Sequence, residues 1–262
     1  HADERPLLFF LTLSGSAFLM PELEAESARQ YTDIEFYNWS DATGPLKAVD
    51  EILTELRDFS YRTIVIDETM RADHAALIQD KLLNSNRLFT ASTIGTLRMQ
   101  KDATEQDILR INAHQADIAM RKAWDIIKPG LTEENIALAI QNSFSDQGAL
   151  PQFSIVASGS NSAFPHHKTG SRKLKEGDAI VIDLGGKFEG YASDITRMSS
   201  IGAPPKDYAL IHQIVEDAVC AAMAAARPGQ IAKNVDRAAR EVIEKAGFGK
   251  YFVHRTGHGL GS

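Results

Sequence analysis

The stretch that most constrains the fold is residues 179–197, AIVIDLGGKFEGYASDITR. An apolar run leads into Asp183, glycines break the pattern, and β-like residues then resume around Asp194. This order predicts a β-hairpin. If its turn is centred between Phe188 and Glu189, the two aspartates are cross-strand partners with β-carbons about 4.5–5.5 Å apart.

Two carboxylates facing each other on an apolar hairpin repel, and burying them unpaired is costly. Two divalent cations about 3.5–4 Å apart would fit between them, with one carboxylate bridging the pair. The alternative is that this end of the hairpin is exposed and both aspartates are solvated turn residues, since Asp is common near turns.

The composition is that of a globular protein with one large or two modest domains: 262 residues, 44% hydrophobic and 24% charged. The net charge of −7 comes from residues 1–100, which hold 9 Lys/Arg against 16 Asp/Glu, whereas residues 101–262 hold 19 of each. Because no basic excess is available to neutralise phosphates or anionic lipids, we expect neither a nucleic-acid nor a membrane partner.

The chain has one cysteine, Cys220, in the Ala-rich run AVCAAMAAA. We predict a small buried hydrophobic side chain there, with a catalytic thiol as the alternative. A single cysteine forms no internal disulfide, which favours a cytoplasmic location. The apolar run at residues 6–20 is short and is broken by Ser14-Gly15-Ser16, so it predicts two strands and a turn rather than a signal peptide.

Strand-like and helix-like pieces alternate up to about residue 100, which predicts an incomplete amino-terminal α/β domain over residues 1–100. The predicted pieces are a hairpin at 7–20, a short acidic helix opened by Pro21, a strand at 34–37, a helix at 45–56, a strand at 63–66 and a helix at 73–83. A second domain is predicted over residues 101–262. It opens with a capping box at Asp102 and Glu105 and a long helix that Pro129-Gly130 stops.

An internal repeat with a spacing of 99 residues organises this second domain. Pro129-Gly130 and Pro228-Gly229 each end a long helix, and a second helix and a β-like piece follow, so that Phe153 falls against Phe252. Two helices and a strand, used twice, predict a pseudo-symmetric domain whose equivalent strands meet at one cleft. Coincidence is the alternative, because helix-Pro-Gly-helix is a common arrangement.

The second copy ends in YFVHRTGHGLGS, which contains His254 and His258. The alternating glycines exclude a helical zinc pair at i, i+4, so we predict a bent segment that presents an imidazole. A phosphate-binding glycine loop is the alternative, although the spacing of a dinucleotide fingerprint is missing.

The segment 157–170, ASGSNSAFPHHKTG, supplies His166 and His167. We predict that His167 is a surface group. Serine catalysis is the alternative here, but the nucleophile-elbow pattern is absent. Together with the paired aspartates, these histidines make the donor set of a metal hydrolase, which manganese, cobalt or zinc would suit.

Three ordered motifs, VIDLG…GYASDITR, NSAFPHH and VHRTGHGLG, resemble those of the Xaa-Pro peptidase family of prolidase and aminopeptidase P. The resemblance covers nearly the whole chain, since MPELEAE resembles the amino-terminal domain of that family. It implies a mixed α/β (α+β) protein in which a pseudo-twofold pita-bread catalytic domain follows a smaller α/β domain. It also implies two divalent metal ions, a proline-containing peptide substrate and a homodimer.

The resemblance assigns roles to six residues. Asp183 is implied to bind one metal, Asp194 to bridge both, His258 to bind the other, His166 and His254 to contact substrate or move protons, and Thr196 to support the site from outside. Family members continue past GHGLG with a further histidine and two glutamates, whereas this sequence stops at Ser262, so we expect a fragment of a longer protein.

The implied reaction is hydrolysis of the bond before proline by a water that bridges two metals. Whether the enzyme is a dipeptidase or an aminopeptidase stays open. Two alternatives remain: a creatinase-like hydrolase that uses histidine without metal, and a non-catalytic peptide-binding member of the same fold.

Overall fold

The computed structural model describes residues 4–56 and 62–260, and the contacts divide the chain into two units, His1–Gln100 and Lys101–Ser262. Strands and helices alternate in the first unit. In chain order they are β1 (Leu8–Leu11), β2 (Ser16–Pro21), α1 (Glu22–Ala28), β3 (Glu35–Trp39), α2 (Leu46–Glu55), β4 (Thr63–Ile66), α3 (Ala72–Gln79), β5 (Asn86–Phe89) and α4 (Ile94–Met99).

The predicted hairpin at the start of the chain is confirmed, because β1 and β2 pair antiparallel. Strand β3 joins β2 in parallel, and β4 pairs with β5 in parallel as a separate two-stranded sheet. Helix α2 buries one apolar face that includes Val49 and Ile52, both fully inaccessible to solvent. Helix α3 was predicted to reach residue 83 but ends at Gln79, and Leu83 is exposed.

The second unit places an antiparallel sheet beside two pairs of helices. Its elements are α5 (Ala103–Ile126), α6 (Glu133–Asp146), β6 (Leu150–Ser158), β7 (Ala179–Phe188), β8 (Tyr191–Ala192), β9 (Ile195–Ser200), α7 (Tyr208–Ala225) and α8 (Ala232–Lys245). Strand β7 is central, with β6 on one side and β8 and β9 on the other. The predicted capping box is present at the start of α5.

The 99-residue repeat is visible in the helices. Both bounds of α8 lie 99 residues after those of α6, and Gly148 and Gly247 each follow their helix with a positive φ, 72° and 86°. The prediction of a strand after the second copy is wrong, as far as the described residues show. Residues Gly249–Tyr251 form a short 3-10 turn, and Phe252 continues in irregular backbone.

The prediction that Cys220 is buried is also wrong, since this residue is exposed on α7. The buried positions of that helix are Ala218 and Ala222, four residues apart and on one face. Cys220 lies two residues along the helix from each of them. At about 100° per residue, its side chain is on the opposite, exposed side of the helix.

The predicted hairpin over residues 179–197 is confirmed, but its predicted register is wrong by two residues. Asp183 pairs with Thr196 rather than with Asp194. The turn residues are Glu189 and Gly190, with φ values of 49° and 85°. Two positive φ values define a type I′ turn, whose twist matches that of the strands and which favours Gly at its second position. The turn is therefore placed by Gly190, one residue later than predicted.

The two glycines after Asp183 allow close packing on β7. A β-carbon at Gly186 would lie 2.5 Å from the ring of the fully buried Phe144, and one at Gly185 would collide with the carbonyl oxygen of Ser193. Residues 193 and 194 form a short break between β8 and β9, where the amide of Ser193 donates to the carbonyl of Gly186 at 2.8 Å. Asp194 lies in this break and has no cross-strand partner on β7.

None of the helices in residues 4–56 and 62–260 combines the length and the apolar character needed to cross a membrane.

Candidate active site

Asp183 is half-buried on the central strand, and its cross-strand partner holds its carboxylate. The hydroxyl of Thr196 donates to Oδ1 of Asp183 at 2.6 Å. The pKa of Asp183 is raised, mainly because burial disfavours the charged form, and the negative charge of Asp194 adds to this rise. The imidazoles of His166 and His258 act in the opposite direction. The pKa of Asp183 therefore depends on three other predicted site residues, Asp194, His166 and His258.

A direct contact joins the hairpin to the last described segment. Nε2 of His258 lies 3.3 Å from Oδ2 of Asp194. The other ring nitrogen, Nδ1, lies 3.1 Å from the carbonyl oxygen of Gly259 and must donate to it. Nε2 is thus free either to carry a second proton toward the carboxylate or to offer its lone pair to a cation that the carboxylate also binds.

The donor chemistry of Asp183, Asp194 and His258 fits a divalent cation. Ligand atoms about 2.1 Å from one tetrahedral ion lie about 3.4 Å apart, close to the 3.3 Å between His258 and Asp194. A half-buried carboxylate whose pKa is raised further by a second carboxylate is a charge excess that a cation would relieve. Within residues 4–56 and 62–260, however, no three His, Cys, Asp or Glu side chains are gathered closely enough to hold a metal ion.

The two other predicted site histidines are both exposed. His166 follows a short 3-10 segment, Gly159–Ala163, and its effect on Asp183 is electrostatic. His254 donates from Nδ1 to the carbonyl of Arg255 at 2.9 Å, and its ring packs edge-on against Phe252 with centroids 5.6 Å apart. The described contacts of its side chain are thus with its own segment.

Helix α8 anchors the segment that carries His254 and His258. Arg240 donates to the carbonyl oxygens of Phe252 and His254, each at 2.9 Å. Asp236 accepts from the amide of Thr256 at 2.7 Å and from its hydroxyl at 2.9 Å. Hydrogen bonds from Arg240 and Thr256 lower the pKa of Asp236 to about 2. The irregular backbone predicted here is therefore held by side chains rather than by helix or strand.

Sequence reasoning missed Glu133, a fully buried carboxylate at the first turn of α6. It accepts hydrogen bonds from Ser158, Asn161 and His167. The prediction that His167 is a surface group is wrong, since Nε2 lies 2.9 Å from Oε2 of Glu133 and the side chain is 16% exposed. A signal was present: Glu133 is spaced three and four residues before the buried Ile136 and Ala137, on the apolar face of the helix.

Comparison with known proteins connects this geometry to one family. A model of metallopeptidase family M24 matches residues 107–262. Over 98% of its length the chain is 36% identical to the probable dipeptidase PepE of Mycobacterium bovis, of which it covers 69%. It is 33% identical to an Xaa-Pro dipeptidase of Pyrococcus furiosus, over 92% of this chain and 68% of that protein.

Solved structures agree in fold. A prolidase from Thermococcus sibiricus superposes with a TM-score of 0.90 at 31% identity, over 98% of this chain and 71% of that one. Dipeptidase PepE from Mycobacterium ulcerans superposes with a TM-score of 0.89 at 35% identity, over 98% of this chain and 70% of that one. The predicted mixed α/β fold with a pita-bread domain is confirmed, as is the family resemblance of the motifs. The chain belongs to metallopeptidase family M24.

Proposed function

We propose that the protein hydrolyses the peptide bond before proline, as an Xaa-Pro dipeptidase or aminopeptidase that depends on divalent metal ions. The observation that carries this proposal is the meeting of Asp194 and His258 at 3.3 Å beside the half-buried Asp183. Membership of a metallopeptidase family supports peptide hydrolysis with divalent cations. The name Xaa-Pro dipeptidase of the Pyrococcus furiosus relative supports the substrate class.

In this proposal Asp183, Asp194 and His258 hold the metal ions, with manganese or cobalt as the proposed metals and zinc as a third choice. When bound, divalent cations would lower the pKa of a water molecule and polarise the scissile carbonyl. Thr196 keeps the Asp183 carboxylate oriented through its 2.6 Å hydrogen bond. Arg240 and Asp236 hold the backbone on either side of His254 and so limit where His258 can move.

The proposed catalytic histidines are His166 and His254. His166 is exposed and lowers the pKa of Asp183, and an imidazole so placed can donate a hydrogen bond to an oxygen that becomes negative during attack. The same group can carry a proton toward the leaving nitrogen, because histidine changes charge near neutral pH. We assign the hydrogen bond to the substrate oxygen to His166. His254 is proposed to have a similar role where it lines the substrate pocket.

Two further properties belong to the proposal. A single cysteine, which cannot form an internal disulfide, supports a cytoplasmic location. A homodimer is proposed on the family resemblance alone.

The test is Asp194→Asn in the metal-loaded protein, with release of proline from an Ala-Pro dipeptide as the assay and bound metal measured by elemental analysis. We expect metal-dependent cleavage to be abolished, because the amide removes a charged metal ligand at the centre of the proposed site. Asp125→Asn, an exposed change on α5, is the matched control and should keep full activity.

Undiminished turnover by the Asp194 variant would contradict the proposal. Full activity of wild-type protein stripped of metal by a chelator would also contradict it, and would favour a hydrolase that works with histidine alone.

A further inference from the structure

Glu133 has no solvent exposure and is surrounded by hydrogen-bond donors. Its Oε1 accepts from the amide and hydroxyl of Ser158 at 2.8 and 2.7 Å and from the side chain of Asn161 at 3.0 Å. Its Oε2 accepts from His167 at 2.9 Å and from the amide of Gly170 at 3.4 Å. Burial raises the pKa of Glu133, but these hydrogen bonds outweigh it and the net pKa is lowered. The carboxylate is therefore charged at neutral pH.

The donors come from separate points of one loop, which runs from the end of β6 to Gly170. Ser158 is the last residue of β6, Asn161 lies in the 3-10 segment, and His167 and Gly170 lie on the returning side. One carboxylate thus ties the two sides of this loop together. His166 lies inside the tied segment, directly before His167. The contacts of Glu133 therefore hold the backbone on both sides of His166.

The hydrogen bond to Glu133 also determines which ring nitrogen of His167 carries a proton. Because a carboxylate without a proton can only accept, Nε2 of His167 must carry the hydrogen that it shares with Glu133. The side-chain nitrogen of Asn161 lies 3.3 Å from the same ring nitrogen, but it can only donate, and Oε1 of Glu133 accepts from it at 3.0 Å. His167 is thus an Nε2–H donor, and this hydrogen bond determines how its ring is oriented.

We infer that Glu133 and His167 form a buried positioning pair that holds the loop carrying His166 in the geometry needed for hydrolysis. Neither residue touches the substrate in this inference; both act through His166. The inference rests on the proposed function for its effect on catalysis, whereas the structural arrangement can be tested without any activity.

The structural test follows the imidazoles of His166 and His167 by NMR in protein with ¹⁵N-labelled histidine. In Glu133→Gln, the amide oxygen keeps the donors of Ser158 and Asn161, so the amide nitrogen faces His167 and can only donate. The variant should therefore move the proton of neutral His167 from Nε2 to Nδ1, and the ring signals of His166 should shift with it. Glu134→Gln removes the same charge one residue away, at an exposed position, and should shift neither histidine.

The kinetic test compares three side chains at position 167 while Glu133 keeps its hydrogen bonds from Ser158, Asn161 and Gly170, so that the buried carboxylate still has partners in every variant. We expect His167→Ala to lower kcat about 10- to 100-fold, the range typical of residues that orient a site group, with KM changed less than about threefold. His167→Gln still offers an N–H to Glu133 and should recover part of kcat. His114→Gln, an exposed change on α5, should leave kcat unchanged.

The outcomes separate the inference from the proposed function. If wild-type protein cleaves no Xaa-Pro peptide, the proposed function fails, while the tautomer exchange and the shift of His166 still decide whether the pair positions the loop. Unchanged His166 and His167 signals in Glu133→Gln would overturn the inference. So would equal kcat values for wild type and His167→Ala in an active enzyme.

Discussion

Nε2 of His258 lies 3.3 Å from Oδ2 of Asp194, although one belongs to the last described segment and the other to the break in the central hairpin. Each end of this contact is held separately. The His258 segment is tied to α8 through Thr256 and Asp236, and the hairpin break is tied to β7 by Ser193 and Gly186. The contact therefore comes from two anchored elements, which is why we place it at the centre of the proposed site.

Replacing His258 with Ala should weaken binding of Mn²⁺ or Co²⁺ to the chelator-treated protein by at least about tenfold, the loss seen even for less direct partners of a metal site. Calorimetric titration of the apo protein measures this. His114→Ala, which removes an exposed histidine on α5, should bind metal like the wild type. Equal affinity in the His258 variant would remove this residue from the metal site.

Thr196→Val should reduce both metal affinity and kcat/KM about 10- to 100-fold while keeping the shape of the side chain. The reason is the loss of the 2.6 Å hydrogen bond to Asp183, which helps the charged carboxylate against burial. Thr196→Ser keeps the hydroxyl and should stay near wild type. A serine variant as weak as the valine variant would show that packing, and not the hydrogen bond, matters at this position.

Glu189→Asn should raise the free energy of unfolding by about 1 kcal/mol, the amount that a left-handed conformation costs most L-residues and that Asn largely avoids. Glu189 has a φ of 49° in a type I′ turn, and the variant would create the Asn-Gly pair that this turn prefers. Thermal unfolding of the variant against Glu189→Gln, which removes the charge but keeps the strained φ, measures the effect. Equal stability of the two variants would argue against the turn placement.

Asp178→Asn should destabilise the fold by about 2–3 kcal/mol at neutral pH, less than for a fully buried ion pair because Arg172 is 25% exposed. Arg172 donates to both carboxylate oxygens at 2.6 and 2.9 Å and thereby lowers the pKa of Asp178. A lowered pKa stabilises the fold above the unfolded value of 3.8, and this contribution is lost as the pH falls through the folded value.

The difference in unfolding free energy between wild type and Asp178→Asn should therefore be largest near pH 7 and should narrow below about pH 4. Denaturant titrations at several pH values measure it. Asp107→Asn breaks an ion pair with Arg110 in which both side chains are more than two-thirds exposed, and it should cost less than about 0.5 kcal/mol. A difference that stays constant with pH would show that the charge of Asp178 is not the cause.

Local signals predicted much of the fold. The capping box at Asp102 and Glu105, the Pro-Gly helix ends and the 99-residue repeat all depend on residues close in sequence, and the helices begin and end as these signals indicate. The hairpin register was predicted less well, because a one-residue shift of the turn moves a cross-strand partner by two residues. The positive φ of Gly190 decides that shift, and the alternation of apolar and polar residues does not reveal it.

The buried polar contacts could not be predicted from local patterns. Glu133 receives hydrogen bonds from residues 25 to 37 positions later, and such partners are known only when β6 and the loop after it are folded against α6. The same holds for Arg240, which reaches the backbone of His254. A prediction from periodicity places a residue on a face but does not identify the group that faces it.

The sequence by itself determined which residue types this protein carries and in what order: two aspartates on a glycine-broken hairpin, a histidine loop and a glycine-flanked histidine segment, on a duplicated pair of helices. Backbone preference and apolar periodicity are local, so these features follow from the chain directly. Only the tertiary structure decided that Asp183 pairs with Thr196, that Asp194 meets His258 and that Glu133 holds His167. Those pairings depend on how distant segments pack, and packing is a property of the whole folded unit.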